Sequence, residues 1–111
     1  MTEEQLQVEC FEWFWNNFQD QRRMLWHNNN NAHNAIAGNK NKARGVVKGV
    51  ADFTLVASFM VVFIEIKICT GKQSTEQVDF QNKVIQRGHQ YHLIYSFVEF
   101  KNLIWRIIGR S

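Results

Sequence analysis

The stretch Val50-Ala51-Asp52-Phe53-Thr54-Leu55-Val56-Ala57-Ser58-Phe59-Met60-Val61-Val62-Phe63-Ile64-Glu65-Ile66-Lys67 decides how the rest of the chain is read. It predicts two apolar strands joined by a short turn near Ala57–Phe59. Side chains alternate along a strand, so Glu65 and Lys67 share one face while Ile64, Ile66 and Ile68 share the other. Charges in so apolar a segment are costly unless they are paired or hold a metal. Two carboxylates on adjacent strands, with a lysine two residues beyond one of them, suit a divalent cation and a water beside a phosphate. On a solvated strand, Glu65 and Lys67 would instead form an ordinary ion pair.

A length of 111 residues predicts one domain, spanning 1–111, with one core. Its 45% hydrophobic and 14% aromatic content points to a packed globule rather than a disordered chain. No apolar run approaches the ~20 residues of a membrane span. The acidic opening Met-Thr-Glu-Glu-Gln is wrong for export, so no membrane partner is expected. Cys10 and Cys69, both in apolar surroundings and without CxxC spacing, predict buried thiols in a reducing compartment, hence the cytoplasm. The net charge of +3 is mild, but its distribution is uneven. Between Asp20 and Asp52 no acid occurs, while Arg22, Arg23, Lys40, Lys42, Arg44 and Lys48 do. That one-signed stretch fits either a polyanionic partner or a solvated basic loop.

Residues 3–18 read as a helix. Leu6, Cys10, Phe11, Trp13, Phe14 and Phe18 form its apolar face, and Val8 and Trp15 lie beyond the main stripe. Glu3 and Gln7 project onto the apolar face, unlike Gln5, Glu9, Glu12 and Asn16. Glu3 is either drawn inward or simply favoured by the helix dipole in a frayed first turn. Arg23–His27 is a strand candidate ended by the run Asn28–Asn31. Ala32–Arg44 predicts a surface helix interrupted by Gly38 and stopped by Gly45. Gly45 and Gly49 then let the chain turn into the Asp52 strand.

Ser74 and Gln77 form a capping-box pattern opening a helix to about Arg87, with Val78, Phe80, Val84 and Ile85 as its apolar side. Gln77 and Gln81 fall within that same arc and need polar partners; for Gln77, capping alone would suffice. Gln90–Ser96 reads as a strand. A second capping box, Ser96 and Glu99, opens a last helix with Phe100, Leu103, Ile104 and Ile107 inward and Gly109 after its end. The order predicts an α/β sandwich around one central sheet. His27, His33, His89 and His92 show neither HxH nor HExxH spacing and are expected to be core or surface residues. Trp13, Trp15, Trp26 and Trp105 are expected in the core or at an interface, with a stacking platform as the alternative.

Gly49-Val50-Ala51-Asp52 followed by Phe63-Ile64-Glu65-Ile66-Lys67 resembles the signature of the PD-(D/E)XK nucleases, and the chain resembles their VRR-NUC branch, often found in phage and bacterial proteins. Nearly the whole length takes part. Glu3-Glu4-Gln5-Leu6-Gln7 looks like the opening helix, and Trp26-His27-Asn28 stands where the family has an apolar-Pro-Asn turn. Gly45 to Asp52 looks like the glycine-flanked approach, Gly71 to Gln77 like the loop and glutamine helix, and Gly88-His89-Gln90-Tyr91 like the return strand. Ala51 replaces the proline before the aspartate and His27 the turn proline; neither position ligates metal.

The resemblance implies a restriction-endonuclease-like αβββαβ core with a mixed sheet flanked by helices. It implies Mg²⁺ or Mn²⁺ held by Asp52, Glu65, the Ile66 carbonyl and Glu3, directly or through water. Lys67 would position or activate the attacking water, and Gln77 would orient Lys67 or a phosphate. Lys40, Lys42, Arg44, Lys48, Asn28 and Lys72 are expected to contact DNA. The implied activity is a homodimeric endonuclease acting on branched DNA such as four-way junctions, in a bacterial or phage-infected cell. Two other functions are carried beside it: a non-cleaving nucleic-acid-binding module, and a repair or restriction-type nuclease that cuts linear duplex.

Overall fold

The computed structural model describes residues 1–29 and 35–109. Asn30, Asn31, the expected helical residues 32–34 and His33 therefore lie outside the described residues. The order is α1 (Glu3–Asn17), a single 3₁₀ turn (Gln19–Gln21), β1 (Leu25–His27), α2 (Ala35–Ala43), β2 (Phe53–Ala57), β3 (Met60–Ile66), α3 (Thr75–Gln86), β4 (Gln90–Ile94) and α4 (Phe97–Ile107). The four strands form one mixed sheet in the order β1-β2-β3-β4. β1 with β2, and β2 with β3, are antiparallel; β4 joins β3 in parallel. A parallel neighbour requires a crossover, and α3 supplies it.

The β2–β3 hairpin sets the register. Phe53 pairs with Ile64 and Ala57 with Met60, leaving Ser58 and Phe59 as a two-residue loop. Phe59 takes φ 69°, the left-handed value that such a tight turn demands of one residue. Alternation then divides the hairpin between two faces. Phe53, Leu55, Val62, Ile64 and Ile66 point one way and pack with Leu6, Cys10 and Phe14 of α1 and Phe100, Leu103 and Ile104 of α4. Phe63 points the other way, towards Ala51, Phe80, Val84 and Tyr91 on the α3 side.

The α1 stripe is the one expected, with Leu6, Cys10, Phe14 and Phe18 buried and Phe11 and Trp13 packed against the core. The helix starts under a Thr2–Gln5 capping box, a Thr-x-x-Gln pattern that the sequence displayed but the periodicity reading did not use. Several elements differ from expectation. β1 starts at Leu25 because Arg23 takes φ 76°, outside extended backbone. α2 runs through Gly38 without a break and ends before Gly45, at φ 88°. On α3, Val78 and Ile85 are exposed; the inward stripe is Gln77, Phe80, Gln81 and Val84, spaced one helical turn apart. β4 stops at Ile94, short of Ser96. Ser96 caps α4 by accepting from the Glu99 N–H, but the Glu99 carboxylate meets the Ser96 hydroxyl instead of completing a capping box. Cys10 is buried, its thiol pushed up to about 12 by burial, whereas Cys69 is exposed because it follows the end of β3 in a turn. Among the described residues no helix is long and apolar enough to cross a membrane.

Candidate active site

Continuing the hairpin ladder one step past Phe53–Ile64 sets Asp52 opposite Glu65. The two residues lock each other. The Asp52 N–H donates to Glu65 Oε1 at 3.1 Å, and the Ile66 N–H donates to Asp52 Oδ2 at 2.7 Å. Each carboxylate thus satisfies a backbone donor of the opposing strand at the point where the ladder ends. Both project onto the α3 face, opposite the apolar core.

Glu65 is almost wholly buried, its side chain 3% exposed. Lys67, just past the end of β3, sits with Nζ 3.7 Å from Glu65 Oε2 and is itself 13% exposed. Its backbone N–H donates to Ile94 O at 2.9 Å, which ties the lysine to β4. Gln77 Nε2 donates to the same Glu65 Oε2 at 2.9 Å. The orientation of that amide is fixed from behind, because Gln77 Oε1 accepts from the Ser74 N–H at 2.8 Å while Ser74 Oγ accepts from the Gln77 N–H at 3.2 Å. The capping box and the polar contact are therefore one device, where the sequence had offered them as alternatives.

Electrostatics follow from this crowding. Burial pushes the Glu65 carboxyl up to about 7, and the neighbouring Asp52 charge adds to it. The Lys67 ammonium and the Asp52 N–H pull the other way and lose. Asp52 is also raised, first by burial; the hydrogen bond from Ile66 and the nearby His27 oppose it, and Glu3 reinforces it. Glu3, in the first turn of α1, therefore lies near enough for its charge to be felt at both acids. Gly71 packs between it and the lysine: a Cβ there would stand 3.2 Å from both Glu3 Oε2 and Lys67 Cδ.

A groove of about 710 Å³ opens beside Asp52, lined by Lys42, Lys48, Gly49, Ser74 and Gln77 among others. Lys42 and Lys48 are thereby brought towards the acids, although Lys48 also lies 3.5 Å from Glu76. Lys40 and Arg44 line a separate shallow hollow, and Lys72 is exposed on the loop before α3. Asn28 is used internally: its amide donates to Ala51 O at 3.1 Å and Thr54 Oγ1 at 2.7 Å, anchoring the strand that delivers Asp52.

Three features had little or no sequence signal. His27 contacts Gln7 at 3.0 Å, which accounts for the inward placement of that glutamine. Gln81 accepts from Gln73 Nε2 at 2.8 Å, and Gln73 also meets Tyr91 Oη at 3.2 Å, a polar layer behind the acids. Only the buried arc position of Gln81 hinted at it. Tyr91, whose hydroxyl is pushed up to about 12 chiefly by burial, gave no hint. His89 Nδ1 accepts from the Val61 N–H and His92 pairs with Gln90, so neither joins the site.

No family model matches the sequence, and no curated protein sequence matches it either. The fold has a solved counterpart. A structure described as a VRR_NUC domain protein superposes with a TM-score of 0.80 at 18% sequence identity, over 98% of this chain and 89% of that one. At that identity the likeness establishes a shared fold, a mixed four-stranded sheet flanked by helices.

Proposed function

We propose that the chain is a metal-dependent endodeoxyribonuclease of the VRR-NUC type within the PD-(D/E)XK nucleases, hydrolysing phosphodiester bonds in DNA. One observation carries this reading. Two desolvated carboxylates, both with raised pKa, meet a lysine and an oriented glutamine amide beside a lysine-lined groove. The solved counterpart described as a VRR_NUC domain protein supports it through the fold.

The donor set fits a hard divalent cation. Two carboxyl groups face a single ammonium there, so in their ionised form they carry more charge than it offsets. Among the described residues no group of three or more His, Cys, Asp and Glu could hold a metal ion. Asp52 and Glu65 would therefore hold Mg²⁺ or Mn²⁺ with the Ile66 carbonyl and waters, the sparse oxygen set that Mg²⁺ prefers. Glu3 would act from further out, through water. When bound, the cation supplies positive charge that acidifies an attacking water and offsets charge on the phosphate.

The remaining work belongs to the chain's own groups. Lys67 would orient the water and donate to the phosphate oxygens as charge builds there. Gln77 would hold the Glu65 carboxylate in one orientation, much as outer partners steer metal ligands. Lys42 and Lys48 would neutralise phosphates along the groove. The substrate we favour is branched DNA, including four-way junctions, cut by a homodimer whose paired sites match a symmetric junction.

The test is cleavage of a labelled four-way junction and of linear duplex with Mg²⁺ or Mn²⁺. Product that requires the cation and disappears in Asp52→Asn supports hydrolysis. Equal cutting of linear duplex would point to a repair or restriction-type enzyme. The small acid set favours one second reading, a non-cleaving nucleic-acid-binding module; cation-independent binding without product would establish that instead.

A further inference from the structure

A second cleft, about 750 Å³, lies between α1 and the edge strand β1, with Glu3 in its lining. Its volume falls within the roughly 300–1,000 Å³ of small-ligand sites. Its floor is aromatic: Phe11 stacks on Phe53 at 6.4 Å, and His27 meets Phe53 edge-on at 5.3 Å. Trp26 stands at its rim on the sheet edge, 43% exposed, its side chain directed with that of Thr54 towards the face that carries the acids. That indole is held in orientation, because Nε1 donates to Asn28 Oδ1 at 3.1 Å, and Asn28 is itself bonded to the strand carrying Asp52.

The charges of the two clefts are opposed. The lysine-lined groove holds Lys42 and Lys48, whereas this one is lined by Glu3, Glu4 and Glu12 and, among the described residues, by no lysine or arginine. Carboxylates repel a phosphate backbone, so phosphates track along the basic side. A neutral, planar group with amino donors meets no such barrier: carboxylates accept from the exocyclic amine of cytosine, and amides serve adenine. An oriented indole offers a stacking surface to any base. Continuity with the acids is direct, since Glu3 lines the cleft and its charge is felt at Asp52 and Glu65.

We propose that the cleft between α1 and β1 receives one unpaired nucleobase of the strand whose phosphate lies at Asp52 and Glu65, stacked on Trp26. The inference rests on the nuclease reading and deepens it, making an unpaired nucleotide beside the cut the feature that selects branched DNA. Adenine, cytosine and guanine, which carry exocyclic amines, bind better than thymine.

The experiment pairs two measurements on the full chain. Cleavage is followed for wild type, Trp26→Ala and Trp26→Phe on two substrates that differ only in whether the nucleotide beside the cut is paired. Binding is followed by the fluorescence of 2-aminopurine at that position. Trp26→Ala is expected to raise KM for the unpaired substrate about tenfold or more, leave the paired one unchanged, and remove the quenching that wild type produces; Trp26→Phe restores most of both. Identical KM values in wild type and Trp26→Ala on both substrates, or no fluorescence change with wild type, overturn the proposal. So does conversion of a wild-type dimer to a monomer by Trp26→Ala, which would make the cleft a subunit contact. Should wild type cut nothing, the nuclease reading fails and the fluorescence still decides: Trp26-dependent quenching supports the base site, and its absence overturns it.

Discussion

The two faces of the sheet are built from different chemistry. Towards α1 and α4 the buried side chains are almost all hydrocarbon or aromatic, with Phe14, Phe53, Leu55, Ile64, Ile66, Phe100, Leu103 and Ile104 at 2% exposure or less. Towards α3 the buried set is small, and polar groups run through it: Glu65, Thr54 bonded to Asn28, and the Gln73–Gln81–Tyr91 layer. The first face carries the stability of the fold. The second spends packing on oriented hydrogen bonds, which contribute little net stability but hold charged groups in place. Substitutions on the two faces should therefore have separable consequences.

The largest effect belongs to the apolar face. Phe100→Ala should destabilise by about 3–5 kcal/mol, read as a lower urea midpoint; a loss under ~1 kcal/mol would dissolve the distinction between the faces. Lys67→Ala should lower cleavage on the order of 10²–10³-fold while leaving the urea midpoint within about 1 kcal/mol of wild type. A matching loss of stability would make the lysine a fold residue instead. Gln77→Ala should reduce activity about 10- to 100-fold, with the loss partly recovered at high Mg²⁺, as the proposed steering of a metal ligand requires.

The smallest effect is a pH dependence confined to the polar face. Folding raises the Glu65 pKa from 4.5 to about 7. The folded protein therefore retains a proton that the unfolded chain releases between those values, and its stability falls as pH rises through that window. Cation-free protein should melt a few degrees lower at pH 8 than at pH 5, and added Mg²⁺ should recover the difference at pH 8 but not at pH 5. Glu65→Gln should flatten the profile. A cation-free melting temperature that rises from pH 5 to 8 would contradict the assigned direction.

The apolar face was legible in the sequence because burial leaves a periodic trace. The α1 stripe and the alternation through Phe53–Ile66 gave both the elements and their inward sides. That Asp52 and Glu65 lie on adjacent strands was legible for the same reason; their direct pairing was not, because the turn expected near Ala57–Phe59 is the two-residue loop Ser58–Phe59, and one residue decides the register. What escaped was set by contacts between elements. α3 turns a mixed polar stripe inward, so reading its apolar residues misassigned Val78 and Ile85. Nothing local marked Tyr91 as the partner of Gln73, or His27 as the partner of Gln7, because each pair is joined by tertiary geometry alone. The basic stretch divided for a similar reason: as the chain winds through α2 and past its end, Lys42 lines the groove beside Asp52 while Lys40 and Arg44 line another hollow.

Gly49 turns with φ 92°, and a Cβ on it would stand 2.7 Å from the backbone of Glu76 in the first turn of α3. The segment delivering Asp52 therefore rests directly on the helix that carries Gln77. A displacement of α3 therefore bears on the aspartate and the glutamine together. Any larger residue at position 49 would pry them apart together, dismantling the pocket without touching a single polar side chain in it.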